Sequence, residues 1–214
     1  MTAIRRALWA LTVRHSWSHI DNSPSTSATA ASVPAVGDDG DNRRGRDSLC
    51  TQPVVVPRSF HRLNVDGDDV QGEVVAALYA ARDEASPRMS DDALAQRIGE
   101  VLGRMRSAAK GNVPDNPRIV EPVRRNPDLW ELKWDFAKLG KFRMYHAEPG
   151  SNPDMVALRF HLKDTSSKDD DVVERLQNAE MDTAGERFTS GVKSRWGHVQ
   201  RGCTHCVSNI ESNL

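Results

Sequence analysis

The sequence predicts an α+β fold: an N-terminal strand and a helical hairpin packed on a small antiparallel sheet, followed by a C-terminal helix. Three observations carry this. Apolar residues recur at helical spacing through two adjacent segments between residues 68 and 110. The texture then changes to short runs, "RIVEPV", "LWELKWDF", "KFRMYHAE" and "DMVALRFHLKD", separated by the turn-rich stretches "RRNPD", "AKLG" and "PGSNP". Helical spacing returns after Ser167.

The elements follow in order. "VVVPRSFHRLNV" is rich in β-branched residues and reads as an opening strand, which Pro57 confines to an edge or a break. In "DGDDVQGEVVAALYAARDEA", Asp68 or Asp69 can cap a helix whose stripe is Val70, Val74, Ala77, Leu78 and Ala81. "SPRM" breaks it. Ser90 caps the next helix, and Asp91 and Asp92 suit the positive end of its dipole. Leu94, Ile98, Val101, Leu102 and Met105 form its stripe, and Gly111 stops it. The four alternating runs make an antiparallel meander. In the last helix, Ser167 is the expected cap, with Val172, Val173, Leu176 and Ala179 on the apolar side. The tail "TSGVKSRWGHVQRGCTHCVSNIESNL" shows no period.

Composition sets the limits. The chain has 214 residues, a net charge of −1, 38% hydrophobic and 6% aromatic residues, so a core must be concentrated in part of it. Near-zero charge requires any basic patch to be local. Three unevenly spaced cysteines speak for a reducing compartment rather than a disulfide framework. No apolar run approaches the roughly 20 residues of a bilayer span, so no membrane association is expected. "MTAIRRALWALTVRHSWSHI" has too short an apolar run for a secretory signal and reads as a weak amphipathic or irregular upstream stretch. Residues 21–52 are dominated by Ser, Thr, Ala, Gly, Asp and Pro. The expected organisation is a disordered extension at 1–52, a folded domain at 53–188 and an irregular tail at 189–214.

Alternation divides the sheet into two faces. Trp130, Leu132, Trp134, Phe136, Phe142, Met144, Val156, Leu158, Phe160 and Leu162 form the apolar one, so both tryptophans are core by parity. The opposite face carries Glu131, Lys133, Asp135, Lys141, Arg143, Tyr145, Arg159, His161 and Lys163. A solvated sheet face accounts for this pattern. A phosphate-binding surface is the sharper reading, because Arg offers a planar fork for phosphate oxygens and Lys a point charge. His161 titrates nearest neutrality and is the proton-transfer candidate. Tyr145 could stack on a base.

A helical hairpin followed by "WELK", "FRMYH" and "VALRFHLKDTSS…VVERLQNAE" resembles the RelE/ParE toxin superfamily, nearest its HigB-like branch, over about residues 53–188. The resemblance implies a cytoplasmic toxin of a type II toxin–antitoxin module. RelE and HigB types cleave mRNA on the ribosome without a metal, by attack of the 2′-hydroxyl on the adjacent phosphate, whereas ParE types poison DNA gyrase. It implies a cognate antitoxin of helix-turn-helix type, the ribosome and mRNA as partners, and no cofactor. Lys133 matches the basic position of the first strand motif, Arg143 the arginine that supports the scissile phosphate, and Lys163 the first lysine of the third motif. Asp164 stands at the second basic position of that motif, and no tyrosine matches the late one of RelE. The catalytic candidates are thus Lys133, Arg143, His161 and Tyr145. RNA contacts are expected from Lys141, Arg159 and Lys163, with Arg124 and Arg125 at a turn as further contacts or as a solvated loop.

His198, Cys203, His205 and Cys206 offer zinc-type ligands, but a second pair at domain spacing is missing, and the remaining thiol, Cys50, lies in the segment read as disordered. The tail is therefore read as an unstructured extension, and no metal is expected.

Overall fold

The structure, a computed structural model, describes residues 47–65, 67–165, 167 and 169–207. The readings of residues 1–46 and of the last seven residues lie outside these. The elements are β1 (Phe60–Arg62), β2 (Asn64–Val65), β3 (Asp68–Asp69), α1 (Val70–Glu84), α2 (Asp91–Ala109), β4 (Val120–Pro122), β5 (Leu129–Phe136), β6 (Gly140–Ala147), β7 (Met155–Leu162) and α3 (Asp170–Gly191). This is the expected α+β class, with the helical hairpin, the meander and the last helix in the predicted order.

The helix starts obey local chemistry. Asp69 caps α1 by accepting from the Gln71 N–H, and Ser90 caps α2 by accepting from Ala93. At the end of α2, Gly111 takes φ +70°, its N–H donates to Ala108 O, and Asn112 N–H donates to Ser107 O. That is the Schellman closure, which glycine adopts without a Cβ penalty. At α3 the cap is Asp169 rather than Ser167. Its carboxylate accepts from Asp171 and Val172 N–H, while Ser167 Oγ accepts from Asp169 N–H.

The main sheet has the order β1-β7-β6-β5-β4. β4 to β7 are antiparallel neighbours, as the meander predicts, and β1 joins β7 in parallel, which makes the sheet mixed. A parallel partner can be reached only by a long connection, and α1, α2 and the meander supply it. The valines before Pro57 do not extend β1: Val55 and Val56 are exposed. Trp134, Phe142 and Phe160 pack under the hairpin as parity requires, with Phe142 stacked on Phe160 at 5.6 Å.

Three expectations are corrected. First, the sheet's polar face is not open, because α3 lies over β6 and β7. α3 meets that face through Gln177, Glu180, Met181, Ala184, Arg187 and Phe188, while Leu176 and Ala179 of the expected stripe are exposed. The surface it covers is charged, so its inward residues are partly charged too. Second, the fold does not begin at Pro53, since Ser48 and Cys50 are buried and Leu49–Thr51 is a 3-10 turn. Third, the segment after α3 is packed. Trp196 is buried, stacks on Phe188 at 5.5 Å and donates from Nε1 to Phe188 O; Cys203, Cys206 and Val207 are buried as well.

Candidate functional site

The polar face is built from matched rungs. Register sets Glu131 opposite Tyr145, Lys133 opposite Arg143 and Asp135 opposite Lys141, and then Arg143 opposite His161. Alternation therefore brings Lys133, Arg143, Tyr145 and His161 together, as expected. Their environment is more closed than an open sheet face would be.

Glu131, 4% exposed, is the centre of the cluster. Arg143 Nε lies 3.2 Å from one of its oxygens and Lys133 Nζ 3.4 Å from the other, and Lys133 also pairs with Glu121. Burial raises the Glu131 carboxyl above its ordinary range, against the pull of Arg143 and Lys133. Burial lowers the Lys163 ammonium, and the nearby Arg143, Lys133 and Lys141 cations lower it further, with Glu131 opposing. Four cations thus share a rim in which Arg143, Lys133 and Lys141 raise the cost of charging Lys163. Such a rim favours an incoming anion.

Tyr145 is wholly buried, and its ring stacks on His161 at 5.4 Å. Burial, and then the Glu131 charge, push its phenol up. The expectation that it stacks on a base is corrected: its face is already occupied by an imidazole. His161 is 8% exposed and lowered by burial. Its Nδ1 lies 3.3 Å from Leu162 O, which can only accept, so Nδ1 carries the proton. Nε2 then holds a buried lone pair with no hydrogen-bond partner among the described residues. His161 and Lys163 line a crevice of about 280 Å³ between the end of β7 and α3, together with Asp164, Leu176, Gln177 and Glu180.

Two of the expected RNA contacts are structural ties. Arg159 donates to Glu73 and Glu180, both at 2.6 Å, and so pins α1 and α3 to β7. Burial lowers its guanidinium, but the two carboxylates outweigh that and raise it. Arg125 grips Asp182 of α3 with two hydrogen bonds, at 2.7 and 3.0 Å. Arg124 is exposed in the same turn and Lys141 is exposed at the rim.

Two groups of ligand-type side chains converge among the described residues. One is Cys50, His146 and Glu148, which the sequence reading did not connect. Cys50 Sγ and Glu148 Oε1 both approach the same imidazole nitrogen, Nε2, at 3.3 and 3.2 Å. A nucleophile–base–orienter chain uses opposite ring nitrogens, so this is not one. Ser48 Oγ at 2.5 Å and Leu49 N–H at 3.0 Å also donate to Glu148, so the group fastens the 48–51 turn to the end of β6. The other is His61, His198, Cys203 and Cys206. Of the tail residues singled out in the sequence, His205 is not a member: both its ring nitrogens lie 3.2 Å from Asn64 Nδ2. His61 takes its place from β1, a partner that spacing alone could not connect.

The first group makes stability depend on pH. Burial lowers His146, but Cys50 and Glu148 outweigh this and hold it up at about 10, while His146 and Ser48 bring Glu148 below its usual range against burial. A raised histidine stabilises fully below its unfolded value of about 6.5, and that contribution is lost as pH climbs through the folded value. The Tm should therefore fall between pH 7 and 10, and His146→Gln should remove that part of the slope. Thermal unfolding followed by circular dichroism checks this, and parallel pH curves for the two proteins would refute it. Glu148 acts oppositely, losing its contribution on acidification.

Compared with protein-family models, with curated proteins and with solved structures, the chain matches none. Among the described residues no helix is long and apolar enough to cross a membrane.

Proposed function

We propose that this chain is the toxin of a type II toxin–antitoxin module and inhibits translation in the cytoplasm as a ribosome-dependent mRNA endoribonuclease. The observation that carries the reading is the cationic rim of Lys133, Lys141, Arg143 and Lys163 around one buried carboxylate, next to a crevice lined by His161. An RNA phosphate satisfies that rim, with Arg143 and Lys133 holding its oxygens. His161 takes the proton of the attacking 2′-hydroxyl, and Lys163, whose ammonium is lowered by burial, returns a proton to the leaving oxygen. Tyr145 is a positioning residue that holds the His161 ring. The ribosome supplies the alignment of the message. A helix-turn-helix antitoxin is the expected partner, covering the rim when the toxin is held inactive.

Arg143→Ala is expected to abolish translation arrest on induced expression, through a loss of roughly 10²–10³-fold in cleavage rate. Amino-acid incorporation after induction reads this directly, and undiminished arrest would refute the role of Arg143. The burial of Tyr145 and His161 favours a second reading, a non-catalytic inhibitor that binds a partner such as gyrase. Arrest with intact message would select it.

A further inference from the structure

We propose that His61, His198, Cys203 and Cys206 form a tetrahedral zinc site that clamps the C-terminal segment onto β1. All four side chains are buried, at 0%, 8%, 2% and 1% exposure, and their ligating atoms lie within 4.8 Å of one another. His61 Nδ1 is 3.5 Å from Cys203 Sγ and 3.8 Å from Cys206 Sγ, and His198 Nδ1 is 3.3 Å from Cys206 Sγ. Zinc bonds of about 2.3 Å to sulfur and 2.0–2.1 Å to nitrogen give a tetrahedron with sulfur-to-nitrogen edges of about 3.5 Å. The three sulfur-to-nitrogen distances, 3.3 to 3.8 Å, lie around that edge length.

The surroundings orient these ligands. His61 Nε2 lies 2.8 Å from the Trp196 carbonyl, which can only accept, so Nε2 carries the proton and Nδ1 turns its lone pair toward the sulfurs. A carbonyl that fixes the tautomer in this way is the usual outer support of a metal-binding histidine. The two cysteines sit on one tight turn, with Cys206 N–H donating to Cys203 O at 3.4 Å and Gly202 at φ +68° opening it. Arg62 donates to the Thr204 and His205 carbonyls, so the turn's outward oxygens are bonded to protein and its sulfurs face inward. Two thiolates, two neutral imidazoles and no carboxylate suit zinc, whereas magnesium and calcium require oxygen ligands. Two thiolates also neutralise the ion's charge, so the buried site carries no net charge.

The test is total metal by mass spectrometry on the full chain purified without chelators. About one zinc per chain is expected. His205→Ala, outside the cluster, should keep it, and Cys206→Ser and His61→Gln should lose it. Because the last two variants could misfold, the wild-type chain carries an independent arm. After reduction and stripping, added Co²⁺ should give the intense visible bands of tetrahedral thiolate coordination, and Zn²⁺ should restore both the Tm and the protection of two thiols from a disulfide reagent. Sub-stoichiometric metal with no Co²⁺ spectrum would overturn the proposal. So would a Cys203–Cys206 disulfide that excludes Zn²⁺ from the native chain, or loss of metal in His205→Ala. None of these readouts depends on toxin activity.

Discussion

Gly111→Ala should destabilise the protein by roughly 4 kcal/mol or more, placing it among the costliest single changes. Two penalties coincide there. The residue takes φ +70°, where L side chains are strained. A Cβ at this point would also lie 1.8 Å from Gln52 O and 2.2 Å from Gln52 C, and both are backbone atoms that no rotamer change can move. The close approach exists because the 50–58 segment docks on the end of α2: Val54 N–H donates to Lys110 O, Arg58 N–H to Ala109 O, and Val113 N–H to Cys50 O. At about 2–4 °C per kcal/mol for a chain of this size, the Tm should fall by about 8–16 °C. Scanning calorimetry measures it, and a variant within a few degrees of wild type would contradict the packing of this segment.

Glu73→Ala is the second large effect, at about 3 kcal/mol. One oxygen of Glu73 accepts from Arg159 at 2.6 Å and from Arg187 at 2.7 Å, and the other accepts from the Phe160 N–H at 2.9 Å. Arg187 in turn donates to Leu158 O and Asp68, so one carboxylate near the start of α1 joins α1, β7 and α3. Removing it leaves two guanidinium groups partly buried and a strand N–H unpaired. The carboxylate is 16% exposed, so water recovers part of the loss, and the estimate sits at the low end of the range for buried pairs. Glu73→Gln keeps acceptors in place and should cost about half as much. Urea unfolding should show a lower midpoint with an unchanged slope. A shift worth less than about 1 kcal/mol for the alanine variant would show that the network does not hold the layers together.

Some features were legible because their cause is local. The Asp69 and Ser90 caps, the Gly111 stop and the α1 stripe each depend on residues within one or two turns. The β5 and β6 alternation set the core side of Trp134 and Phe142 and brought Lys133, Arg143 and Glu131 to one face. What failed depended on distant partners. Alternation shows that a face is polar, not that a helix will cover it, so Arg159 read as a free cation although Glu73 and Glu180 hold it. The tail lacks a period because its packing rests on single anchors, Trp196 on Phe188 and Cys206 beside His61. The four ligands illustrate the limit: "CTHC" was visible as a half-site, but the histidine that completes it lies on β1, and only the chain's return to that strand identifies His61 rather than His205.

The claim that the cationic rim acts on RNA is tested most directly by mapping message ends in a translating extract with purified protein. The account predicts discrete cuts within codons on ribosome-bound message, lost in Arg143→Ala and in His161→Gln, with circular dichroism confirming that both variants are folded at the assay temperature. Intact message and undiminished translation in the presence of folded, metal-replete wild-type protein would contradict it.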